Sequence, residues 1–199
     1  ISKISAGRDF SLALKNDGTV WAWGYNGNGE LGDATFIQKI YRVQVSVLTN
    51  TVVDIDAGRN HALAIKNDNT VWAWGYNGYG QLGDNTYMQR NAPVQTLGSM
   101  ANAISISAGE HHSLAMKTDG SVWAWGYNYE GQAGTGINNN EYLLPQRTLY
   151  LCPAQNVDIS IDLPNACTKY DTIPSGGNDS RTFMVHNYGC DTLLISNTT

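Results

Sequence analysis

Internal repetition at a constant interval is the feature of this sequence that most restricts its fold. One four-residue segment occurs three times, at intervals of 51 residues: Ile4–Gly7, Ile55–Gly58 and Ile106–Gly109. A longer apolar segment keeps the same interval: 20–26, 71–77 and 122–128. The first two units are identical at 22 of 30 aligned positions. The chain is therefore built from copies of one supersecondary unit that stack on one another.

Each unit has the pattern of consecutive β-strands joined by tight turns. Residues 11–15 alternate along a strand, and the Asn-Asp-Gly sequence at 16–18 follows as a hairpin turn. Residues 20–23 form the return strand, with Trp21 and Trp23 on one face and a valine and an alanine on the other. Because both faces are apolar, both must be covered. This favours blades packed face to face around an axis.

Residues that recur in all units are expected to form the structural core. Tryptophans at identical positions favour packing over ligand stacking, and the repeated glycines allow tight turns or close backbone approach. The predicted core consists of Trp21, Trp23, Trp72, Trp74, Trp123, Trp125, Gly7, Gly58 and Gly109.

The second unit carries the fullest version of a spaced pattern. Its residues are Ala57-Gly58, His61, Leu63-Ala64, Trp72, Trp74-Gly75, Asn77 and Gly80-Gln81-Leu82-Gly83. The pattern resembles the regulator of chromosome condensation repeat family over roughly residues 1–150. The resemblance implies four-stranded propeller blades, of which seven are usual in the family. The sequence departs from the pattern at Phe10, which replaces the histidine, and at Ala133 and Thr135 in the third unit.

We therefore predict an all-β fold of three β-propeller-type blades, with the ring incomplete within this chain and a short C-terminal β segment. The expected blades span about 1–51, 52–102 and 103–153, and the C-terminal segment spans 154–199. Propellers close with about four to eight blades, so two apolar faces stay uncovered. Further repeats of a larger protein would cover them, which the alignment of Ile1 with Val52 favours. Head-to-tail association of copies is the alternative.

The C-terminal segment lacks the repeat but has its own strand patterns at 157–163, 181–186 and 193–195. It is weakly similar to immunoglobulin-like modules of bacterial surface proteins, with less than half of the length of such a domain. We expect either a truncated domain or strands that pair with a neighbouring chain.

Three cysteines and two glycosylation sequons also lie in the last quarter of the chain. Cys167 and Cys190 form a possible disulfide that leaves Cys152 free, but the sequence does not rank the three possible pairings, and buried reduced thiols are the alternative. The sequons begin at Asn178 and Asn197 and matter only in a glycosylating secretory system.

Composition restricts the kind of partner. Charged residues make up 15% of the chain and the net charge is −5, so we expect no nucleic acid. No apolar stretch is long enough to span a bilayer, so we expect no membrane insertion. The abundance of Gly, Asn, Thr, Ser and Tyr is typical of secreted β proteins. We therefore expect an extracellular or cell-surface location.

The titratable residues favour structure over catalysis. His61 and His112 align with Phe10, which indicates packing, and His111 occupies a polar turn position expected to be exposed. The aspartates Asp17, Asp68 and Asp119 recur in the hairpin turns, where Asp caps the backbone. We predict no catalytic residues, no metal site and no cofactor.

Loop aromatics that differ between units are the candidates for partner contact. We predict a partner-binding surface on the loops that carry Asn28, Phe36, Tyr79, Tyr87 and Tyr129. The leading hypothesis is a non-enzymatic secreted or surface repeat protein that binds proteins or assembles with itself as a ring or filament. The alternatives are a regulatory propeller resembling a guanine-nucleotide exchange factor and a secreted enzyme inhibitor.

Overall fold

The computed structural model describes residues 1–98, 100–138 and 140–148, and the backbone of residues 159–162 and 184–187. The chain divides into two compact units, Ile1–Leu151 and Cys152–Thr199. The strands of the first unit are Lys3–Ala6 (β1), Phe10–Leu14 (β2), Val20–Gly24 (β3), Lys39–Gln44 (β4), Val52–Ala57 (β5), His61–Lys66 (β6), Val71–Gly75 (β7), Arg90–Gln95 (β8), Ala103–Ala108 (β9), His112–Lys117 (β10), Val122–Tyr127 (β11) and Glu141–Arg147 (β12).

These strands form three antiparallel sheets, each of four consecutive strands in chain order. We call β1–β4 blade 1, β5–β8 blade 2 and β9–β12 blade 3. The first strand of blade 2 lies beside the first strands of both other blades, and the ring is open. The prediction of an all-β chain with three propeller-type blades is therefore confirmed.

The hairpin turn between the second and third strands is held by an aspartate. The Asp17 carboxylate accepts hydrogen bonds from the backbone N–H and the hydroxyl of Thr19 at 3.0 and 2.6 Å. Asp68 with Thr70, and Asp119 with Ser121, repeat both contacts. These bonds lower the pKa of the Asp68 carboxyl, because they favour its charged form.

A glycine with positive φ lies at the last position of the third strand in blades 1 and 2 and one residue before its end in blade 3. Gly24, Gly75 and Gly126 have φ angles of 110°, 100° and 95°, and the strand register shifts beside each of them. A Cβ atom on Gly75 would lie 2.5 Å from the carbonyl oxygen of Asn60. The backbone thus crosses the preceding loop where no side chain fits.

Apolar side chains fill the two junctions between blades. Leu12, Leu14, Val20 and Ala22 of blade 1 pack against a second set from blade 2: Val52, Ile55, Ala62, Ala64 and Trp74. At the second junction, Leu63, Ile65, Val71 and Ala73 of blade 2 face Ala103, Ile106, Ala115 and Trp125. Blades 1 and 2 thus present a face of leucine, valine and alanine side chains forwards, and blades 2 and 3 present their tryptophan face backwards.

The two tryptophans of a repeat have different surroundings. Trp74 and Trp125 are fully buried, whereas Trp21, Trp72 and Trp123 are half-buried. The indole N–H groups of the half-buried three donate to the turn hydroxyls of Thr19, Thr70 and Ser121. Lysine ammonium groups lie over their rings, at 4.6 Å from the ring centroid in the case of Lys117 and Trp123. These three tryptophans thus lie at the edge of the predicted core.

The C-terminal compact unit, Cys152–Thr199, contains two described strands, Ile159–Asp162 (β13) and Met184–Asn187 (β14), which pair antiparallel. They overlap the strands expected at 157–163 and 181–186. The possible Cys167–Cys190 disulfide, Cys152 and the sequons at Asn178 and Asn197 lie outside the described residues. No helix in the described part of the chain could cross a membrane.

Candidate protein-binding surfaces

An aromatic ring lies over a glycine at the start of each blade. Phe10 covers Gly7, His61 covers Gly58 and His112 covers Gly109, so closely that a Cβ atom on Gly58 would lie 2.4 Å from the His61 ring. These glycines have no positive φ. Their role is to let the ring approach the backbone, so either a phenylalanine or a histidine ring fits at this position.

His61 belongs to a buried chain of hydrogen bonds between blades 2 and 3. The Ser113 hydroxyl donates to the Gln81 carbonyl at 2.8 Å, so the His61 Nε2–H donates to Ser113 at 2.9 Å. Trp125 also donates to the Gln81 carbonyl, at 2.8 Å. His61 Nδ1 is buried and has no hydrogen-bond partner among the described residues, and burial is the main reason why the pKa of this imidazole falls to about 3. The residue is thus a neutral structural group.

The loop between the third and fourth strands is fixed by a buried asparagine. The Asn77 side-chain amide donates to Asp84 and to the carbonyls of Thr86 and Met88, while its oxygen accepts from the Leu82 N–H. Asn26 and Asn128 are equally buried and make corresponding bonds. The loop aromatics are therefore carried on a rigid frame.

Aromatic side chains from blades 2 and 3 gather where these loops meet. We call this cluster the tyrosine rim and define it as Tyr76, Tyr79, His111, Tyr127 and Tyr129. The Tyr79 centroid lies 4.9 Å from that of His111 and 5.2 Å from that of Tyr127, which lies 5.1 Å from Tyr129. The rings pack edge-to-face or tilted, as the quadrupoles of aromatic rings favour.

The Glu141 carboxylate at the start of β12 adjoins the tyrosine rim. It accepts a hydrogen bond of 3.1 Å from the Tyr87 hydroxyl, which raises the pKa of that phenol. Its charge also raises the pKa of Tyr129. Both phenols therefore stay protonated around an anionic centre. No lysine or arginine among the described residues forms an ion pair with Glu141.

Three of the five predicted contact residues meet at this place: Tyr79, Tyr87 and Tyr129. Asn28 and Phe36 lie on blade 1, away from the tyrosine rim. Asn28 is half-buried and donates to the buried Glu30 carboxylate through its backbone and its amide, at 2.8 and 2.7 Å, whereas Phe36 is exposed. Whether any of the five contacts a partner stays a prediction.

Sequence reasoning missed three members of the tyrosine rim, Tyr76, His111 and Tyr127, and the adjoining Glu141. His111 was expected to be exposed, but it is half-buried against Tyr79. In the first two units Gly27 and Gly78 accommodate the hydroxyl of the preceding tyrosine, whereas Tyr129 takes this place in the third. That glycine-to-tyrosine exchange was the available signal.

Blade 1 exposes the face that blades 2 and 3 bury. We call it the leading face and define it as Ile1, Ile4, Trp23 and Ile40. Ile4 is 73% exposed, whereas its repeat equivalents Ile55 and Ile106 are 0% and 6% exposed. Trp74 donates to the Glu30 carbonyl of blade 1 at 2.8 Å, but the equivalent Trp23 N–H has no acceptor among the described residues. The leading face thus has the residues of a blade junction, but no blade among the described residues packs on it.

A shallow pocket lies where the loops after β1, β5 and β9 meet. Its charged residues are Arg8, Arg59 and Glu110. Arg59 pairs with Glu110, and Arg8 pairs with Asp9. The described residues contain no group of three potential metal ligands. The charged side chains that line this pocket are therefore already in ion pairs within the chain.

Two family models match the sequence, both described as the regulator of chromosome condensation (RCC1) repeat. One covers residues 17–65, 68–116 and 119–154, and the other 1–30, 52–81 and 103–132. A similar curated protein is the human probable E3 ubiquitin-protein ligase HERC6, 31% identical over 143 residues. The match covers 70% of this chain and 14% of that protein, so this chain spans a small part of its length.

Solved structures share the blade arrangement. Human WBSCR16 has a TM-score of 0.69 at 22% identity, over 80% of this chain and 42% of that one. Yeast RCC1 (Prp20), solved with Kap60 bound to it, has a TM-score of 0.63 at 24% identity, over 78% and 38% of the two chains. At this identity the likeness establishes the fold.

Proposed function

Since this chain belongs to the regulator of chromosome condensation (RCC1) repeat family, we propose that it is a non-catalytic module that binds proteins through the leading face of blade 1. The observation that carries the proposal is the contrast between Ile4 and its buried equivalents Ile55 and Ile106. A large apolar patch left exposed on a soluble protein marks an interaction surface. Yeast RCC1, with Kap60 bound to it, supports protein binding as the role of this fold.

The chemistry of the partner follows from the junctions inside the chain. At the first junction, the tryptophan face of blade 2 meets Leu12, Leu14 and a backbone carbonyl of blade 1. The leading face has the same residue types, so it fits the forward face of another blade of this repeat. Blade 3 has the matching acceptor position at Gln132, and its Met116 is 39% exposed where Ile65 is buried.

A second copy of the chain therefore supplies a complementary surface. Trp23 of one copy would donate to the Gln132 carbonyl of the next copy, as Trp74 and Trp125 do to Glu30 and Gln81 within the chain. Such a contact joins two different faces, so it extends head to tail into a ring or a filament.

Sedimentation velocity over a concentration series tests this proposal. We expect the average mass of the 199-residue chain to rise with concentration. Ile4→Asp should abolish the rise, because it places a charge in the apolar junction. Ile37→Asp is the matched control, since Ile37 and its repeat equivalent Met88 are both exposed whatever the stacking of the blades. A wild-type chain that stays monomeric at its highest soluble concentration would contradict self-association.

We also propose an extracellular or cell-surface location, supported by the 15% content of charged residues and the many loop Asn, Thr and Gly residues. Fractionation of the source cells tests it. Recovery in the soluble cell interior alone would contradict the proposal.

A further inference from the structure

The tyrosine rim and Glu141 form a cluster that blade packing does not require. Tyr129 is 40% exposed and Tyr87 is 53% exposed, although both are large and apolar over most of their surface. The Glu141 carboxylate lies between them, hydrogen-bonded to one and electrostatically coupled to the other. Aromatic faces thus surround an anion at the surface of the protein.

The equivalent place at the first junction shows that the fold does not demand these rings. Asn28 stands where Tyr79 stands in the second unit, and Asn60 stands where His111 stands in the third. Both asparagine amides donate to the buried Glu30 carboxylate, at 2.7 and 3.1 Å. Neither Glu30 nor Glu141 has an ion pair in the described part of the chain, but Glu30 is fully buried under its amide donors, whereas Glu141 is half-buried beside tyrosine rings.

No lysine or arginine among residues 1–148 that the structure describes forms an ion pair within the tyrosine rim. Burial, with the nearby charge of Arg59, lowers the pKa of His111, so its imidazole is neutral near pH 7. Arg59 is itself paired with Glu110. The electron-rich faces of the tyrosine rings and the Glu141 carboxylate therefore both produce a negative electrostatic potential in the same space.

We propose that the tyrosine rim, together with Glu141, binds a cationic side chain, an arginine or a lysine, presented by an extended segment of a protein partner. A guanidinium or ammonium group is attracted by the electron-rich faces of the phenols and by the carboxylate at once. The rigid loop frame held by Asn77 and Asn128 positions the rings before binding, which limits the entropy lost on binding. This site is separate from the leading face of blade 1.

NMR of the tyrosine ring signals tests the proposal with a defined probe. The probe is a blocked tripeptide of glycine, arginine and glycine, and the control replaces arginine with citrulline, its neutral isostere. We expect saturable shifts of the Tyr79, Tyr127 and Tyr129 rings with the arginine peptide alone. The shifts should weaken as salt is raised, because the site is partly exposed.

Three variants locate the site. Glu141→Gln removes the charge, and Tyr129→Gly restores the residue type of the first two units; each should weaken binding about fivefold to tenfold. Tyr25→Ala is the control, because Tyr25 is similarly exposed at 44% but lies on blade 1. It should leave the affinity unchanged.

The proposal is wrong if the citrulline peptide binds as well as the arginine peptide, or if no ring signal shifts at saturating peptide. It is equally wrong if Glu141→Gln binds like the wild type. If Tyr129→Gly lowers the unfolding temperature, Glu141→Gln decides alone, since Glu141 has no salt bridge among the described residues whose loss would unfold the blade.

Discussion

The Nε2–H group of His61 donates a hydrogen bond of 2.9 Å to the Ser113 hydroxyl, across the junction between blades 2 and 3. Because the Ser113 hydroxyl donates its only proton to the Gln81 carbonyl, the neutral His61 ring carries its proton on Nε2. Its Nδ1 atom, which is buried and has no partner in the part of the chain that the structure describes, would have to accept any second proton. This is the physical reason why the folded state resists protonation of His61.

The stability of the repeat unit should therefore depend on pH. The pKa of His61 is about 3 in the folded chain and about 6.5 when unfolded, so between these values the unfolded state binds more protons. The contribution of His61 to the free energy of unfolding is complete above pH 6.5. It falls by about 1.4 kcal/mol per pH unit as the pH drops from 6.5 towards 3. Urea unfolding at pH 4.5, 5.5 and 6.5 measures the slope, to which carboxyl groups also contribute at the lowest pH.

His61→Phe is the matched variant, because Phe10 holds this position in the first unit. Its slope between pH 4.5 and 6.5 should be clearly shallower than that of the wild type, with a residual contribution from His112, whose pKa burial also lowers. Equal slopes in the two proteins would exclude His61 as the source.

Replacement of a tryptophan by phenylalanine should lower the stability more at a buried position of the tryptophan face than at the equivalent position of blade 1. Trp74→Phe leaves the buried Glu30 carbonyl without its donor and opens space at the first junction, which should cost about 2–3 kcal/mol. Trp23→Phe changes the same repeat position where the described residues provide no acceptor. It should cost less than about 1 kcal/mol.

Chemical denaturation of both variants measures this difference. Equal destabilisation would show that the buried hydrogen bond does not distinguish the two sites.

Gly58→Ala should be severely destabilising although Gly58 has an ordinary backbone conformation. The new methyl group would lie 2.4 Å from the Gly109 carbonyl oxygen and 2.4 Å from the His61 ring, so two blades would have to shift. We expect a loss of about 3 kcal/mol or more, seen as a lower thermal midpoint.

Gly131→Ala provides the comparison for this clash. A Cβ atom at Gly131 meets no other atom within 4 Å, but the residue has a φ of 80°. The cost there is backbone strain of about 1 kcal/mol. A Gly58 variant that is no less stable than the Gly131 variant would contradict the close-contact explanation.

Asn69→Gly should stabilise the second hairpin. Asn69 has a φ of 62°, whereas Gly18 and Gly120 take the same turn position in the other units with φ values of 78°. Glycine removes the strain of the left-handed conformation and loses part of that gain through its more flexible unfolded state, which leaves about 0.5 kcal/mol. A decrease in the unfolding midpoint would oppose this prediction.

Much of the blade could be read from residues close in sequence. The hairpin aspartates, the alternation in β2 and the glycine-flanked Trp-x-Trp strand act within one blade, so pattern and spacing were sufficient to predict them. The tyrosine rim could be predicted only in part from the sequence. Tyr79, Tyr87 and Tyr129 stood out because they differ between units, whereas Tyr127 was hidden by its resemblance to Tyr25 and Tyr76.

The sequence by itself determined the repeat, the strand pairing inside each blade and the presence of two apolar faces, because these depend on local periodicity. Only the tertiary structure decided that Trp74 is buried while Trp23 is not, and that Glu141 of blade 3 meets Tyr87 of blade 2. Such contacts join residues about one repeat apart, and identical residues acquire different surroundings according to whether another blade precedes them. Position in the stack, which no local pattern records, sets their burial and their chemistry.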